Sequence, residues 1–365
     1  MKHISIAFFS LTVASVAWSQ SEWAVGGYLD GYYQVDFGRP AAGNTVNGRG
    51  LDIAHQRFTL AVGEFDALYA PTAKRPFGVN IQLFAGKNAD LISLTEPGGK
   101  NKYKWIRQAY VTYAEPKSGW TVDLGKFDTW IGYEGIDNRF QDQYGRSFNW
   151  TYSEPSYAAG LRASGKLSPE VGLALFLVNG WNEVEDANGS PSAGAQLTVT
   201  LDPKTSVILQ NYFGTEGSDD ANEAGSFGGI GFPNAGTAQV HLIDAIVTHQ
   251  LTPSTKLAFN VDYGTSRGGA NTGKWNGEVL YLKHQLNHAQ ALSLRLERVE
   301  DLDGLRVGMP MLLHSITLGY DWAVHKNGTL RFELRRDFAN KPFFNDRNGV
   351  SSNRVTLTVA AVAKF

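Results

Sequence analysis

The chain has 365 residues and no cysteine, and charged side chains make up only 19% of it. Without cysteine, neither disulfide bonds nor thiolate metal sites can stabilise the fold. The formal net charge of −2 argues against a nucleic-acid partner, which would require a strongly basic surface. Beyond the first twenty residues, no apolar run is long enough to form a transmembrane helix. The fold must therefore be predicted from the periodicity of shorter segments.

The first nineteen residues, MKHISIAFFSLTVASVAWS, follow the pattern of a secretory signal. Lys2 precedes an apolar stretch over residues 4–16, and small residues stand at positions 17 and 19. Such a stretch is too short to span a bilayer, and the small residues predict cleavage before Gln20. We expect residues 1–19 to be a cleaved signal peptide and residues 20–365 to form one exported domain.

Apolar and polar residues alternate in segments of roughly ten residues along the whole exported chain. In KLAFNVDY, residues 256–263, the odd positions are apolar and the even ones are polar or small. A period of two is that of a β-strand with one apolar face. We predict sixteen strands, at about 22–36, 51–66, 77–87, 103–114, 119–128, 156–166, 170–180, 191–201, 205–214, 237–250, 255–264, 275–286, 290–299, 311–325, 328–338 and 351–365.

The connections between these strands are of two kinds, and the two kinds alternate. Seven are short, and most of them carry Pro or Asn-Gly, which favour tight reversals. Eight are long and polar: 37–50, 88–102, 129–155, 181–190, 215–236, 265–274, 300–310 and 339–350. Outer-membrane barrels combine short periplasmic turns with long extracellular loops, whereas a soluble sandwich has no reason to sort its loops. The predicted fold class is therefore all-β, a transmembrane antiparallel up-and-down β-barrel of about 16 strands.

Aromatic residues on the apolar faces fall near both ends of the predicted strands. In outer-membrane barrels such rings form girdles at the two membrane interfaces. The predicted girdle residues are Trp23, Tyr33, Trp105, Tyr113, Trp120, Tyr263, Trp322, Phe338 and Phe365. We expect outer-membrane lipids and lipopolysaccharide around the barrel. By resemblance to outer-membrane proteins as a class, we also expect the outer-membrane assembly machinery to recognise the C-terminal strand.

The inward faces carry charges of both signs. The predicted pore-lining residues on the strands are Arg57, Arg162, Arg331, Glu333, Arg335, Asp337 and Arg354. In all, nine cationic and eight acidic side chains, Asp244 and Asp262 among the acids, fall on the inward faces of the predicted strands. This near balance predicts weak ion selectivity, because strong discrimination needs rings of one sign. Whether Glu333 and Asp337 neutralise the arginines of their own strand stays open. The eight long connections sum to a charge of −6, which predicts a slight preference for cations at low ionic strength.

The longest connection, residues 129–155, is the best candidate for a functional loop. Folded inward, it would bring Glu134, Asp137 and Asp142 toward the arginines and narrow the pore. General porins of sixteen strands constrict with the loop at this position, although the Pro-Glu-Phe-Gly-Gly signature of the enterobacterial ones is absent here. The alternative is an ordinary outer cap.

No pattern of an active site or metal site is found. The eight histidines are scattered, and no Gly-x-Ser-x-Gly, His-Glu-x-x-His or phosphate-binding loop occurs. Asp301–Gly304 lacks the spacing of a calcium loop. We therefore expect no enzyme, no catalytic residue, no cofactor and no metal.

Two stretches, LGKFDTWIGYEGIDNRFQDQYGRSFNWTYSEPSYAAGLRA at 124–163 and LFLVNGWN at 175–182, resemble the OmpL-like β-barrel porin family. The resemblance implies a Gram-negative outer-membrane barrel with pore activity, and it implies no substrate or catalytic residue. We expect passive diffusion of small hydrophilic solutes and ions. A non-conducting structural or surface-binding barrel is the alternative, and a homotrimer is one assembly that fits.

Replacing Phe365 with Asp, or removing it, should impair assembly more than conductance. A charge facing lipid near the interface costs only about 0–1 kcal/mol, so lost recognition should dominate. The amount of heat-modifiable barrel in the membrane measures this. A normal amount from the altered gene would contradict the expectation.

Overall fold

The computed structural model describes residues 23–40, 45–94, 96, 99, 101–217, 236–268 and 271–365. The predicted signal peptide and parts of the long connections lie outside the described residues. The elements in chain order are β1 Ala24–Asp36, β2 Phe58–Tyr69, β3 Phe77–Ala85, α1 Lys87–Ile92, β4 Ile106–Ala114, β5 Thr121–Asp128, α2 Phe148–Ser153, β6 Tyr157–Lys166, β7 Val171–Val178, β8 Ser192–Asp202, β9 Thr205–Glu216, β10 Ala238–Thr252, β11 Thr255–Arg267, β12 Gly273–Asn287, β13 Gln290–Asp301, β14 Met311–His325, β15 Gly328–Ala339, β16 Phe344–Asp346, β17 Gly349–Ser351 and β18 Asn353–Lys364.

Sixteen strands, β1 to β15 and β18, form a closed antiparallel barrel. Each strand pairs with its neighbours in sequence, and β18 lies between β15 and β1. The short strands β16 and β17 form a separate hairpin within the last long connection. The structure thus confirms the predicted fold class. Neither of the two described helices is long and apolar enough to cross a bilayer.

The barrel exposes apolar side chains and buries polar ones. On β11, Asn260 and Asp262 are buried, whereas the rings of Phe259 and Tyr263 are 42% and 50% exposed. A soluble protein would bury the aromatic rings and expose the carboxylate. The outward surface is therefore suited to lipid, and the inward surface to water and polar groups.

The predicted strand 51–66 is wrong at its start, because β2 begins at Phe58. The preceding residues fold into the barrel, where their backbone binds inward side chains of β1. The amide of Gln34 donates to the carbonyl of Asp52 at 2.8 Å, and the N–H of Ala54 donates to the Tyr32 hydroxyl at 3.0 Å. The alternation of apolar and polar residues between residue 51 and β2 thus belongs to a loop packed inside the barrel. Every other predicted strand end lies within three residues of the observed one.

Aromatic contacts occur at both ends of the barrel wall. At the short-turn end, the rings of Trp23 and Tyr69 lie 5.0 Å apart. At the long-loop end, those of Tyr33 and Phe58 lie 4.9 Å apart. The other predicted girdle residues fall at the same two levels: Tyr113, Trp120, Trp322 and Phe365 near short turns, and Trp105, Tyr263 and Phe338 near long connections. Their role at the membrane interface stays a prediction.

Replacing Leu296 with Arg should destabilise the barrel strongly. Leu296 faces outward in the middle of β13, between Leu280 and Ile316 of the adjacent strands. A cation at the bilayer midplane costs about 2–4 kcal/mol, against about 0–1 kcal/mol near the interface. The matched control is Gln290→Arg, on the same face at the end of the same strand. Denaturant unfolding in lipid vesicles measures both, and equal losses would contradict the lipid-facing assignment.

Candidate functional site

Residues 129–155, which we call the inner segment, lie inside the barrel. Backbone and side chains of this segment bond to inward-facing groups on opposite parts of the wall. The Tyr144 hydroxyl donates to Asp30 on β1 at 3.0 Å, and the N–H of Gly145 donates to Glu333 on β15 at 2.9 Å. On the far side, the N–H of Tyr133 donates to the Asn260 amide oxygen on β11 at 3.0 Å. The segment therefore crosses the interior.

Aromatic stacking anchors the first part of the inner segment. The ring of Trp130 stacks on Phe176 of β7, with centroids 3.9 Å apart and planes 10° from parallel. The ring of Tyr133 packs against Tyr281 of β12 at 4.5 Å. Stacked rings bury much apolar surface in a defined geometry. The aromatic residues of the inner segment therefore serve to pack it against the barrel wall.

The three predicted acids of the inner segment each pair with a cation on the wall: Glu134 with Arg295 at 2.7 Å, Asp137 with Arg107 at 2.9 Å, and Asp142 with Lys256 at 2.8 Å and Lys283 at 3.4 Å. Burial raises the pKa of Asp142, but the two ammonium groups outweigh it and hold that pKa below its ordinary value. In the described chain, no ion pair joins these acids to Arg331, Arg335 or Arg354.

The predicted arginines of β15 are buried and hold the backbone of the inner segment. Arg331 donates to the carbonyl of Gln141, and Arg335 donates to the carbonyl of Arg146, both at 2.6 Å. Their exposed fractions are 4% and 0%. These guanidinium groups therefore serve as donors to the segment and are shielded from the lumen.

Asp337 lies at the centre of a cluster of three arginines. Its carboxylate contacts Arg335 at 2.6 Å, Arg354 at 2.7 Å and Arg49 at 3.0 Å. Asp337 thus neutralises arginines locally, whereas Glu333 on the same strand binds the inner segment. Arg49 was not among the predicted site residues, because it comes from a long connection whose path local pattern does not reveal.

The other two predicted pore residues differ in their surroundings. Arg57 lies just before β2, and its side chain is exposed. Arg162 on β6 pairs at 2.7 Å with Asp123, its direct neighbour on β5. Of the two, Arg162 lines the lumen cavity described next.

A cavity of about 1120 Å³ lies between the inner segment and the short-turn end of the barrel. Neutral polar groups such as Asn80, Gln82 and Gln108 line part of it. The cationic lining consists of five residues, Arg107, Arg139, Arg162, Lys256 and Lys283. The acidic lining consists of six, Asp66, Asp123, Asp128, Glu134, Asp137 and Asp142. The cavity is therefore polar and nearly balanced in charge.

Arg146 organises the fold of the inner segment itself. Its buried guanidinium donates to the carbonyl oxygens of Gly135 at 2.6 Å and of Ile136 and Tyr144 at 2.9 Å, and to the Asn138 amide oxygen at 2.6 Å. One side chain thus satisfies four acceptors that would otherwise lie buried without donors. These bonds tie residues 135–138 to residues 144–146 within the segment.

Three carboxylates that the sequence did not single out meet near the end of the inner segment. Asp244 on β10 and Asp262 on β11 are direct cross-strand partners. Glu154 joins them from inside the barrel, and one oxygen of each residue lies within 4.8 Å of the other two. The alternation of residues indicated that both aspartates face inward. It carried no information on the strand register or on the approach of Glu154.

A family model described as "Putative beta-barrel porin-2, OmpL-like" matches residues 22–365. The chain belongs to this family. The resemblance noted over residues 124–163 and 175–182 is thereby confirmed. Together with the lipid-suited outer face, membership supports an outer-membrane barrel of porin type.

Solved porin structures share the fold at low sequence identity. The anion-selective porin from Comamonas acidovorans is 10% identical, with a TM-score of 0.62 over 94% of this chain and 99% of its own. The DcaP channel of Acinetobacter baumannii is 12% identical, with a TM-score of 0.59 over 94% and 97%. The trimer form of OmpT from Vibrio cholerae is 7% identical, with a TM-score of 0.60 over 94% and 99%. A comparison with curated proteins found no match.

Replacing Arg146 with Met should loosen the inner segment without unfolding the barrel. Each buried acceptor that loses its donor costs roughly 1–3 kcal/mol. Because the chain has no cysteine, a single Ile136→Cys substitution reports opening by its rate of thiol labelling. We expect labelling at least about tenfold faster in the Arg146→Met background.

The control for this experiment is Arg162→Met, which removes an inward arginine that pairs with Asp123 on the adjacent strand. Labelling at Ile136→Cys should then keep its original rate. Equal rates in the two arginine variants would show that Arg146 does not hold the segment.

Proposed function

We propose that this protein is an outer-membrane channel for the passive diffusion of small hydrophilic solutes and ions. The observation that carries the proposal is the polar cavity of about 1120 Å³ inside the barrel. A barrel of sixteen strands is wide enough to enclose water, whereas eight strands are filled by side chains. A lumen lined by amides, hydroxyls and paired charges suits hydrated solutes.

The inner segment is the constriction of this channel. Its contacts with β1, β11 and β15 support this role, since a solute entering the lumen must pass it. The charges that line the lumen cavity are nearly balanced. The cationic wall residues that contact the inner segment are paired with its acidic side chains. Weak ion selectivity follows, because no ring of one sign is left uncompensated.

A homotrimer in contact with lipid and lipopolysaccharide is the assembly we propose. The support is that one porin of the same fold has been described in a trimer form. The C-terminal strand, recognised by the assembly machinery, would bring each protomer into the membrane. Mass measurement of the barrel released in mild detergent, before and after heating, tests the trimer. A single monomer mass in both states would reject it.

Single-channel recording in planar bilayers tests the channel. We expect a stable, ohmic current and a reversal potential that shows slight cation preference at low ionic strength and fades as salt is added. Absence of current from folded protein would favour the alternative, a structural or surface-binding barrel. A preference for anions at every salt concentration would contradict the expected cation preference.

Asp142→Asn tests whether the inner segment borders the ion path. The change leaves Lys256 and Lys283 without this carboxylate in the lumen cavity. We expect the reversal potential to shift toward anions at low ionic strength, since Lys256 then has no acidic partner among the described residues and Lys283 keeps only Asp321, at 3.6 Å. The control is Asp202→Asn, at an exposed short turn. An identical reversal potential in both variants would place the ion path elsewhere.

A further inference from the structure

The end of the inner segment meets the wall through three carboxylates. Asp244 and Asp262 face each other across β10 and β11 and are both fully buried. Glu154, which follows α2, reaches them from inside and is 3% exposed. One oxygen from each residue lies within 4.8 Å of the other two. Three acidic groups thus share one small volume that is closed to bulk water.

No cationic side chain of the described residues forms an ion pair with Glu154, Asp244 or Asp262. Two other buried acids of the lumen, Glu134 and Asp337, by contrast each contact arginine. Burying a carboxylate without a partner is costly, and buried charges in proteins are as a rule paired or bound to metal. A cation from outside the chain would supply the positive charge that no described side chain supplies.

Hydrogen bonding leaves a second sign of a ligand. One oxygen of each carboxylate, Glu154 Oε2, Asp244 Oδ1 and Asp262 Oδ1, has no hydrogen-bond partner. The fully buried amide of Asn149 lies against the same group, and its Nδ2 donates to Glu154 Oε1 at 2.8 Å and to Asp262. Its Oδ1 has no partner either. Each of the three clustered carboxylates therefore has one oxygen without a donor, while the oxygen of the Asn149 amide points toward Gly277.

The amide of Asn149 can also present its oxygen to the carboxylates. Half a turn about its last bond exchanges oxygen and nitrogen with little change of shape. The NH₂ group would then point toward Gly277, where the unpartnered hydroxyl of Ser153 also lies. In that arrangement the three carboxylates and one amide oxygen form a ligand set, and Ser153 gains a donor.

Space for this arrangement depends on a glycine. Gly132 has φ of +88°, a conformation that other residues rarely adopt. A Cβ at this position would lie 1.8 Å from Glu154 Oε2. The backbone at Gly132 can therefore approach the Glu154 carboxylate this closely because glycine has no side chain.

We propose that Glu154, Asp244, Asp262 and Asn149 bind a calcium ion that ties the inner segment to β10 and β11. The ligand atoms are all oxygens, which hard cations prefer. Ca²⁺ accepts bidentate carboxylates and amide oxygens in irregular geometry. Mg²⁺ demands a regular octahedron and keeps several waters, which this closed site does not suit. The inference concerns a binding site and holds whether or not the barrel conducts.

Calcium binding by the full-length barrel in detergent, after removal of metal with a chelator, tests the proposal. We expect one Ca²⁺ per chain by equilibrium dialysis and a rise in melting temperature with added Ca²⁺. Asp262→Asn keeps the shape of the side chain but removes a charged ligand, and it should weaken binding by at least about tenfold. The matched control, Asp123→Asn, alters an inward aspartate that already pairs with Arg162 and should bind as the original does.

Should Asp262→Asn fail to fold, Glu154→Gln provides the same test without altering a wall strand, with heat-modifiable migration as the check of folding. Equal calcium binding by the original chain and by folded Glu154→Gln would overturn the site. So would the absence of bound calcium in the original chain at millimolar free Ca²⁺. Mg²⁺ binding as tightly as Ca²⁺ would overturn the assignment of calcium.

Discussion

Within a bilayer, every backbone N–H and C=O needs a partner, and this requirement governs the whole structure. The sixteen barrel strands meet it because β18 pairs with both β15 and β1, so that no edge faces lipid. Phe365 extends the seam by exchanging backbone hydrogen bonds with Gly27. Closure divides the side chains of each strand into an outward set that contacts lipid and an inward set that does not. The apolar exterior and polar interior both follow from it.

The inward set creates a second requirement, because charges held inside a protein need partners of their own. Arg295 and Arg335 are fully buried on the wall, and part of what they bind belongs to the inner segment. In return, the segment's carbonyl groups and acids find donors on the wall. The inner segment and the barrel wall therefore stabilise each other. The segment lies inside the barrel because the charged side chains on the inner wall need partners that the segment supplies.

Different kinds of interaction hold the two ends of the inner segment in place. Near its start, Trp130 stacks on Phe176, a contact that needs no ion and depends little on pH or salt. Near its end, Glu154 meets two aspartates of the wall, and no cationic side chain in the described part of the chain pairs with them. If the segment is the constriction and binds calcium there, both as we propose, the width of the channel depends in part on the divalent cations of the surrounding medium.

The strand positions, their inward and outward faces, the alternation of short and long connections, and the family could all be predicted from the amino-acid sequence. These features are local: a side chain's face follows from the period of two, and a tight turn follows from Pro or Asn-Gly. The one misplaced strand start, before Phe58, shows the limit, since a packed loop can alternate in the same way.

Which inward-facing groups contact one another could not be predicted in this way, because it depends on how distant parts of the chain pack together. Asp244 and Asp262 could each be assigned to the lumen from the sequence. That they lie directly opposite each other depends on the register between β10 and β11, and a shift of one residue in that register would separate them. The path of residues 129–155 depends on contacts with residues far apart in the chain, such as Asp30 and Glu333. For that reason the acids expected to face Arg331 and Arg335 instead face Arg107, Arg295 and Lys256.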